Sequence, residues 1–216
     1  MSAETPAAVR HRLPLVRDRM PQRLVRLFGG LVLFGVSMGM MIQAALGVGP
    51  WDVLHQGLSL HLPLSFGTIV IIMSGVVLLL WIPLRERPGI GTIANAIVIG
   101  VVVDATLLAL ETPVSLAGRW ALMLGGVLLN GIATGLYIGA GLGPGPRDGL
   151  MTGLAARGHS ISFVRTGIEV VVLAAGWALG GVVGVGTVVF ALGIGPLAQV
   201  FLPVFTVQDR VPTSTG

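Results

Sequence analysis

Six apolar runs of spanning length organise this chain, at about 24 to 46, 66 to 84, 89 to 110, 119 to 141, 162 to 181 and 184 to 205, each bounded by proline, glycine or charge. A bilayer's hydrocarbon core needs about twenty apolar residues per helix. The expectation is therefore an all-α polytopic membrane protein with six transmembrane helices. Composition agrees, since 54% of residues are hydrophobic and 10% are charged, whereas a soluble domain carries about a quarter charged residues. Two shorter segments, "PWDVLHQGLSLHL" (50–62) and "PRDGLMTGLAARG" (146–158), suit re-entrant or interfacial helices.

Every one of the 13 basic residues is an arginine, and they gather in tails and short loops, which reads as topology and not as a nucleic-acid surface. With six spans, the Arg-rich tail 1–22, the turn with Arg85 and Arg87, the loop with Arg147 and Arg157, and Arg210 in the tail 206–216 all fall on the cytoplasmic side. Both termini are expected there. The first apolar run is too long for a cleaved signal and reads as a retained helix. The tail's arginines could also lie on anionic lipid.

The chain repeats itself. Shifted by 96, residues 46–58 and 142–154 match at Leu46/Leu142, Gly47/Gly143, Gly49/Gly145, Pro50/Pro146, Asp52/Asp148, Leu54/Leu150, Gly57/Gly153 and Leu58/Leu154. The preceding run agrees at Arg23/Arg119, Gly30/Gly126, Gly35/Gly131 and Gly39/Gly135, and later "GIGT" (89–92) answers "GVGT" (184–187) with the offset drifting by one. The unit is one span, a short helix and two spans, giving membrane repeats at 23–111 and 119–205. Three spans is an odd number, so two repeats joined in one chain are expected to be inverted. Secondary transporters use inverted repeats with interrupted helices for alternating access, the site lying between the repeats.

At each corner, the glycines (Gly47, Gly49, Gly143, Gly145) let the chain leave the helix, and Pro50 and Pro146 suit the first turn of a new one. Asp52 and Asp148 then fall in that first turn, where the helix end favours a carboxylate. The motif serves as a self-capping corner or as part of an anion or ion site. On a helical wheel Asp52, His55, Gln56 and Ser59 share a face opposite Trp51, Leu54 and Leu58, as in an amphipathic helix lying in water at the interface, and Asp52 with His55 could form a protonatable pair.

Polar residues inside spans are costly and invite a functional reading. They are Gln43, Asn95, Asp104, Asn130, Tyr137, Glu169 and Gln199. Asp104, whose repeat mate is Gln199, is expected to face a cavity or carry a proton. Glu169 is one turn from Arg165, which suits a local ion pair. Gly35-x-x-x-Gly39 and Gly131-x-x-x-Gly135 are expected to pack the first and fourth spans against each other or their neighbours. There is no cysteine, no phosphate-binding loop, no His-Glu-x-x-His and no Gly-x-Ser-x-Gly. The histidines at 11, 55, 61 and 159 do not cluster at metal spacing. No catalytic residue, metal or cofactor is expected, and the chain does not read as an enzyme.

The sequences "GVGPWDVLHQGLS" and "GLGPGPRDGLMTGL", each after a glycine-rich helix, resemble the YczE/YyaS/YitT group of bacterial membrane proteins, nearest its YczE branch, from about Arg23 to Pro203. The resemblance implies a multi-pass protein of the bacterial cytoplasmic membrane. Taken together, the expectation is a small secondary-transporter-like permease or exporter of a small solute, with proton coupling as an option. The candidate binding residues are Asp52, His55, Gln56, Asp104, Asp148 and Glu169. The alternative is a non-transporting membrane scaffold or regulator acting on a partner. The expected surroundings are the lipid bilayer and a small solute, without nucleic acid, and the chain's small size for a transporter allows a homodimer.

Overall fold

A computed structural model describes residues 19–207. Most of the expected N-terminal tail, with Arg10, His11, Arg12 and Arg17, and the segment 208–216 with Arg210 lie outside the described residues. Among the described residues the regular structure is all helical: α1 (Met20–Ala44), α2 (Pro50–Ser59), α3 (Phe66–Leu84), α4 (Ile90–Ala109), α5 (Leu116–Gly139), α6 (Pro146–Ala155), α7 (Ile161–Ala178) and α8 (Val185–Phe205). Six are long and apolar enough to cross a membrane, and the remaining two, α2 and α6, are the short segments. This is the architecture of an all-α polytopic membrane protein.

The helix starts follow local chemistry. Ser65, Ser115 and Ser160 cap α3, α5 and α7 by accepting from the backbone N–H three residues on, at 3.1 to 3.2 Å, which satisfies a donor that the first turn leaves open. Helices α2 and α6 begin with Pro50 and Pro146, where the missing N–H costs nothing. At the other ends, guanidinium groups cap helix C-termini: Arg23 donates to Ala140 O after α5 (2.8 Å), Arg26 to Phe205 O of α8 (2.5 Å) and Arg157 to Pro83 O of α3 (2.6 Å). A cation is favoured there by the helix dipole. These arginines therefore define one end of the bundle, the Arg-rich end, and hold three helices to it.

The centre is an antiparallel pair, α1 with α5. Gly30 closes on Ala133, Leu136 and Tyr137, while Gly126, farther back along α5, closes on Ser37 and Met41, farther on along α1. Between them Asn130 Nδ2 donates to Ser37 Oγ at 2.8 Å, both side chains being buried. The Gly-x-x-x-Gly faces pack on neighbours and not on each other. Gly35 and Gly39 receive Val102 and Thr106 of α4, and Gly131 and Gly135 receive Leu197 and Phe201 of α8. Contacts on α4 and α8 advance in step with α1 and α5, so each pair runs parallel. Small residues let the backbones come this close.

One pairing is not repeated. Helices α3 and α7 both rest on α2 and α6, but α3 also packs along α4, whereas α7 and α8 share no such face.

Candidate functional site

The two corners are built alike. Gly47 has φ +102° and Gly143 φ +120°, a region that a Cβ disfavours. Each corner is then tied to the fourth helix of the other half: Gly186 N–H donates to Leu46 O at 2.7 Å, and Gly91 N–H donates to Leu142 O at 2.9 Å. Gly49 and Gly145 stand in tight spaces, where a Cβ would come 2.8 Å from the Phe190 ring and 3.2 Å from both the Asn95 amide and the Asp148 carboxylate.

These ties bring the starts of α2 and α6 to one cavity of about 360 Å³, to which every helix contributes. The corners supply Gly49 to Asp52 and Gly145 to Asp148. The central pair supplies Phe34, Asn130, Thr134 and Tyr137, and α3 and α4 add Val70, Ser74, Asn95 and Ile99. On the remaining side stand Arg165 and Glu169 of α7 with Ile194, Gly195, Ala198 and Gln199 of α8. Since α7 and α8 do not pack together, the cavity reaches the gap between them.

Charge is concentrated where the corners meet. The Arg147 guanidinium lies over the Trp51 ring, 5.0 Å from its centre, a cation–π contact of about 1–2 kcal/mol when shielded from water. It feels the Asp52 and Asp148 carboxylates, yet among the described residues it makes no hydrogen bond and no ion pair. Asp148 Oδ2 accepts from the Tyr137 hydroxyl. Asp52 Oδ1 sits 3.5 Å from His55 Nδ1, too far for a good hydrogen bond. Both of these atoms and Trp51 Nε1 are buried without a partner. Arg165 and Glu169 form the expected local pair at 3.0 Å.

Of the residues picked out by sequence, Asp52, Asp148 and Glu169 line the cavity, and three do not. His55, 1% exposed, lies behind Asp52 with its ring edge-on to Phe66 at 5.8 Å. Gln56 accepts from Val182 N–H at 3.1 Å and so ties α2 to the segment before α8. Asp104 is a clasp: its two oxygens accept from the Ser65 hydroxyl at 2.5 Å and the Gly67 N–H at 2.7 Å, joining α4 to the start of α3. Its repeat mate Gln199 lines the cavity instead. The expected amphipathic face of α2 is also reversed. Asp52 and His55 are buried, because α2 turns that face into the protein and does not lie in water at the interface.

Sequence reasoning passed over Arg147 and Trp51. Arg147 was read as a loop charge marking topology, but it stands in the first turn of α6. The available signal was the repeat itself, since positions 51 and 147 are equivalent and differ beside a shared aspartate.

A family model described as "Family of unknown function (DUF6198)" matches residues 21–203. Similar proteins include an uncharacterized protein of Haemophilus influenzae, 41% identical over 183 residues (84% of each chain). The membrane protein YczE of Bacillus subtilis is 34% identical over 179 residues, 82% of this chain and 83% of its own. YyaS of the same organism is 26% identical over 182 residues, 81% and 90% of the two chains. No solved structure matches. The chain belongs to the DUF6198 family and is a multi-pass membrane protein.

Proposed function

We propose that this member of the DUF6198 family is a permease that moves a small solute between two inverted three-span repeats, doing no covalent chemistry on it. The Arg-rich end faces the cytoplasm of a bacterial cell. In this reading the antiparallel α1 and α5 are equivalent helices of opposite orientation, and the cavity between the corners is the shared site.

One observation carries the proposal: equivalent positions of the two halves differ as open and closed gates should. In the first half Gly67 and Gly100 press α3 onto α4, each where a Cβ would meet the other's carbonyl oxygen at 2.5 Å or less, and Asp104 clasps the start of α3. With Ser65-Phe66 aligned to Ser162-Phe163 and "GIGT" (89–92) to "GVGT" (184–187), the equivalents in the second half are Val164, Gly195 and Gln199. There Gly195 has no neighbour within 4 Å of a built Cβ, and Gln199 lines the cavity. The open side involves the first turns of α7 and the latter half of α8, both near the Arg-rich end. In this reading the molecule is in an inward-open state, and exchanging the two arrangements would open the other face. Asp52 and His55, side by side next to the cavity, are the pair placed to carry a coupling proton.

The test uses the absence of native cysteine. Single cysteines at Ser74 and Gln199, in reconstituted vesicles of known orientation, are exposed to a membrane-impermeant thiol reagent from each face. Alternating access predicts that residue 74 reacts from both faces and that blocking one face's reaction leaves the other's intact until the protein turns over. Reaction of residue 74 from one face only would remove the permease reading.

A further inference from the structure

Arg147, Trp51 and Asp52 line one cavity, where they present a cation that makes no hydrogen bond and a carboxylate that acts on it electrostatically. We infer that the solute is a small zwitterion of amino-acid type, its carboxylate received by Arg147 and its ammonium by Asp52. The inference rests on the permease reading and names the class of solute that reading leaves open.

The guanidinium keeps its charge at any relevant pH and offers five N–H donors in a planar fork. Trp51's ring covers one face of it, which leaves the fork's edges for a ligand, and a carboxylate is the group whose two oxygens match them. Beside it the Asp52 carboxylate lines the cavity, its Oδ1 turned toward His55 Nδ1 at 3.5 Å and away from the open space. A charged donor without a hydrogen bond and a carboxylate thus line the same cavity. Asp148 is engaged by the Tyr137 hydroxyl, which leaves Asp52 for the ammonium.

The alternatives fit less well. A simple anion would satisfy Arg147 but sit beside two carboxylates, and a simple cation would leave the guanidinium fork empty and add like charge to it. A zwitterion answers both and brings no net charge to the middle of the bilayer, where charge is most costly. The start of α6, which carries Arg147, adds a positive helix end on the carboxylate's side. At about 30 Å³ per water-sized group the cavity suits a solute of about ten non-hydrogen atoms, and Ile99, Phe190, Ile194 and Leu202 form an apolar wall for its side chain.

The test is the thermal unfolding midpoint of the whole protein in lipid nanodiscs, titrated with each common α-amino acid and with β-alanine. The best of these is then compared with its decarboxylated amine and its deaminated acid. The inference predicts a saturable rise of several degrees for at least one amino acid, and at least tenfold weaker binding of both truncated analogues. Arg147→Gln should abolish the rise, while Arg147→Lys, which keeps the charge without the fork, and Asp52→Asn should each weaken binding at least tenfold. If no amino acid moves the midpoint, or if an amine or acid alone binds as tightly as the parent, the inference fails. Thiol accessibility at residue 74 needs no ligand, so the two ideas fail separately. Exchange of faces without amino-acid binding leaves a permease for another solute, and binding without exchange leaves a receptor site that does not transport.

Discussion

Arg147 lies over Trp51 with its guanidinium carbon 5.0 Å from the ring centre, and the two residues occupy the same position in the two halves of the chain. Their contact lies at the cavity, one copy of the repeated motif giving an aromatic face and the other a cation.

The clasp on α3 should be measurable as stability. Asp104→Ala deletes the acceptor for both the Ser65 hydroxyl and the Gly67 N–H. Hydrogen bonds to a charged group are worth about 1.5–3 kcal/mol when shielded and less when part-exposed. The expected loss is about 2 kcal/mol, with Ser65→Ala costing less because Gly67 keeps its partner. Denaturant titration in detergent checks both.

Equivalent glycines should respond differently. At Gly100 a Cβ would come 2.5 Å from Gly67 O and from the Ile71 side chain, whereas Gly195 has open space. Gly100→Ala should cost about 1–3 kcal/mol through overpacking. Gly195→Ala should change stability by less than about 1 kcal/mol, because no other helix crowds the position and alanine's gain as a helix former is offset by the ring of Pro196 that follows it. Thermal unfolding of the pair, measured side by side, decides it.

A matched pair of tryptophans makes the same point. Trp81 is buried and donates its indole N–H to Pro146 O at 3.0 Å, pinning α6 at its first turn. Trp177, 96 residues on and so its match in the repeat, is 69% exposed. Trp81→Phe should cost about 1–3 kcal/mol, because a buried carbonyl loses its donor, while Trp177→Phe should fall within about 0.5 kcal/mol. Equal losses would mean that α6 is not held by this bond.

The helices were legible in the sequence because bilayer thickness fixes their length and serine, glycine and proline mark their ends. The corners were legible because they are written twice. The contrast between α3 on α4 and α7 beside α8 was not, because it depends on which helices press together: Asp104 reads from its own helix as an unpartnered charge, and only the fold brings Ser65 and Gly67 to it. Arg147 was hidden for a related reason. An arginine after a helix end looks like a topology signal until the chain turns back and carries it inward. The burial of Asp52 and His55 likewise follows from where α2 is docked, which its own periodicity does not specify.

The central claim, that two equivalent gates open in turn around one cavity, is tested most directly by closing the open one. In the protein, which has no native cysteine, Val164→Cys and Gly195→Cys place thiols at the positions equivalent to the Gly67–Gly100 contact, and Ser74 carries a third cysteine as reporter. The account predicts that oxidation links 164 to 195, and that the linked protein exposes residue 74 to an impermeant reagent at the face opposite the Arg-rich end while closing it at the Arg-rich end. If the pair never links, or links without moving the access of residue 74 from one face to the other, the two halves are not alternating gates and the account is wrong.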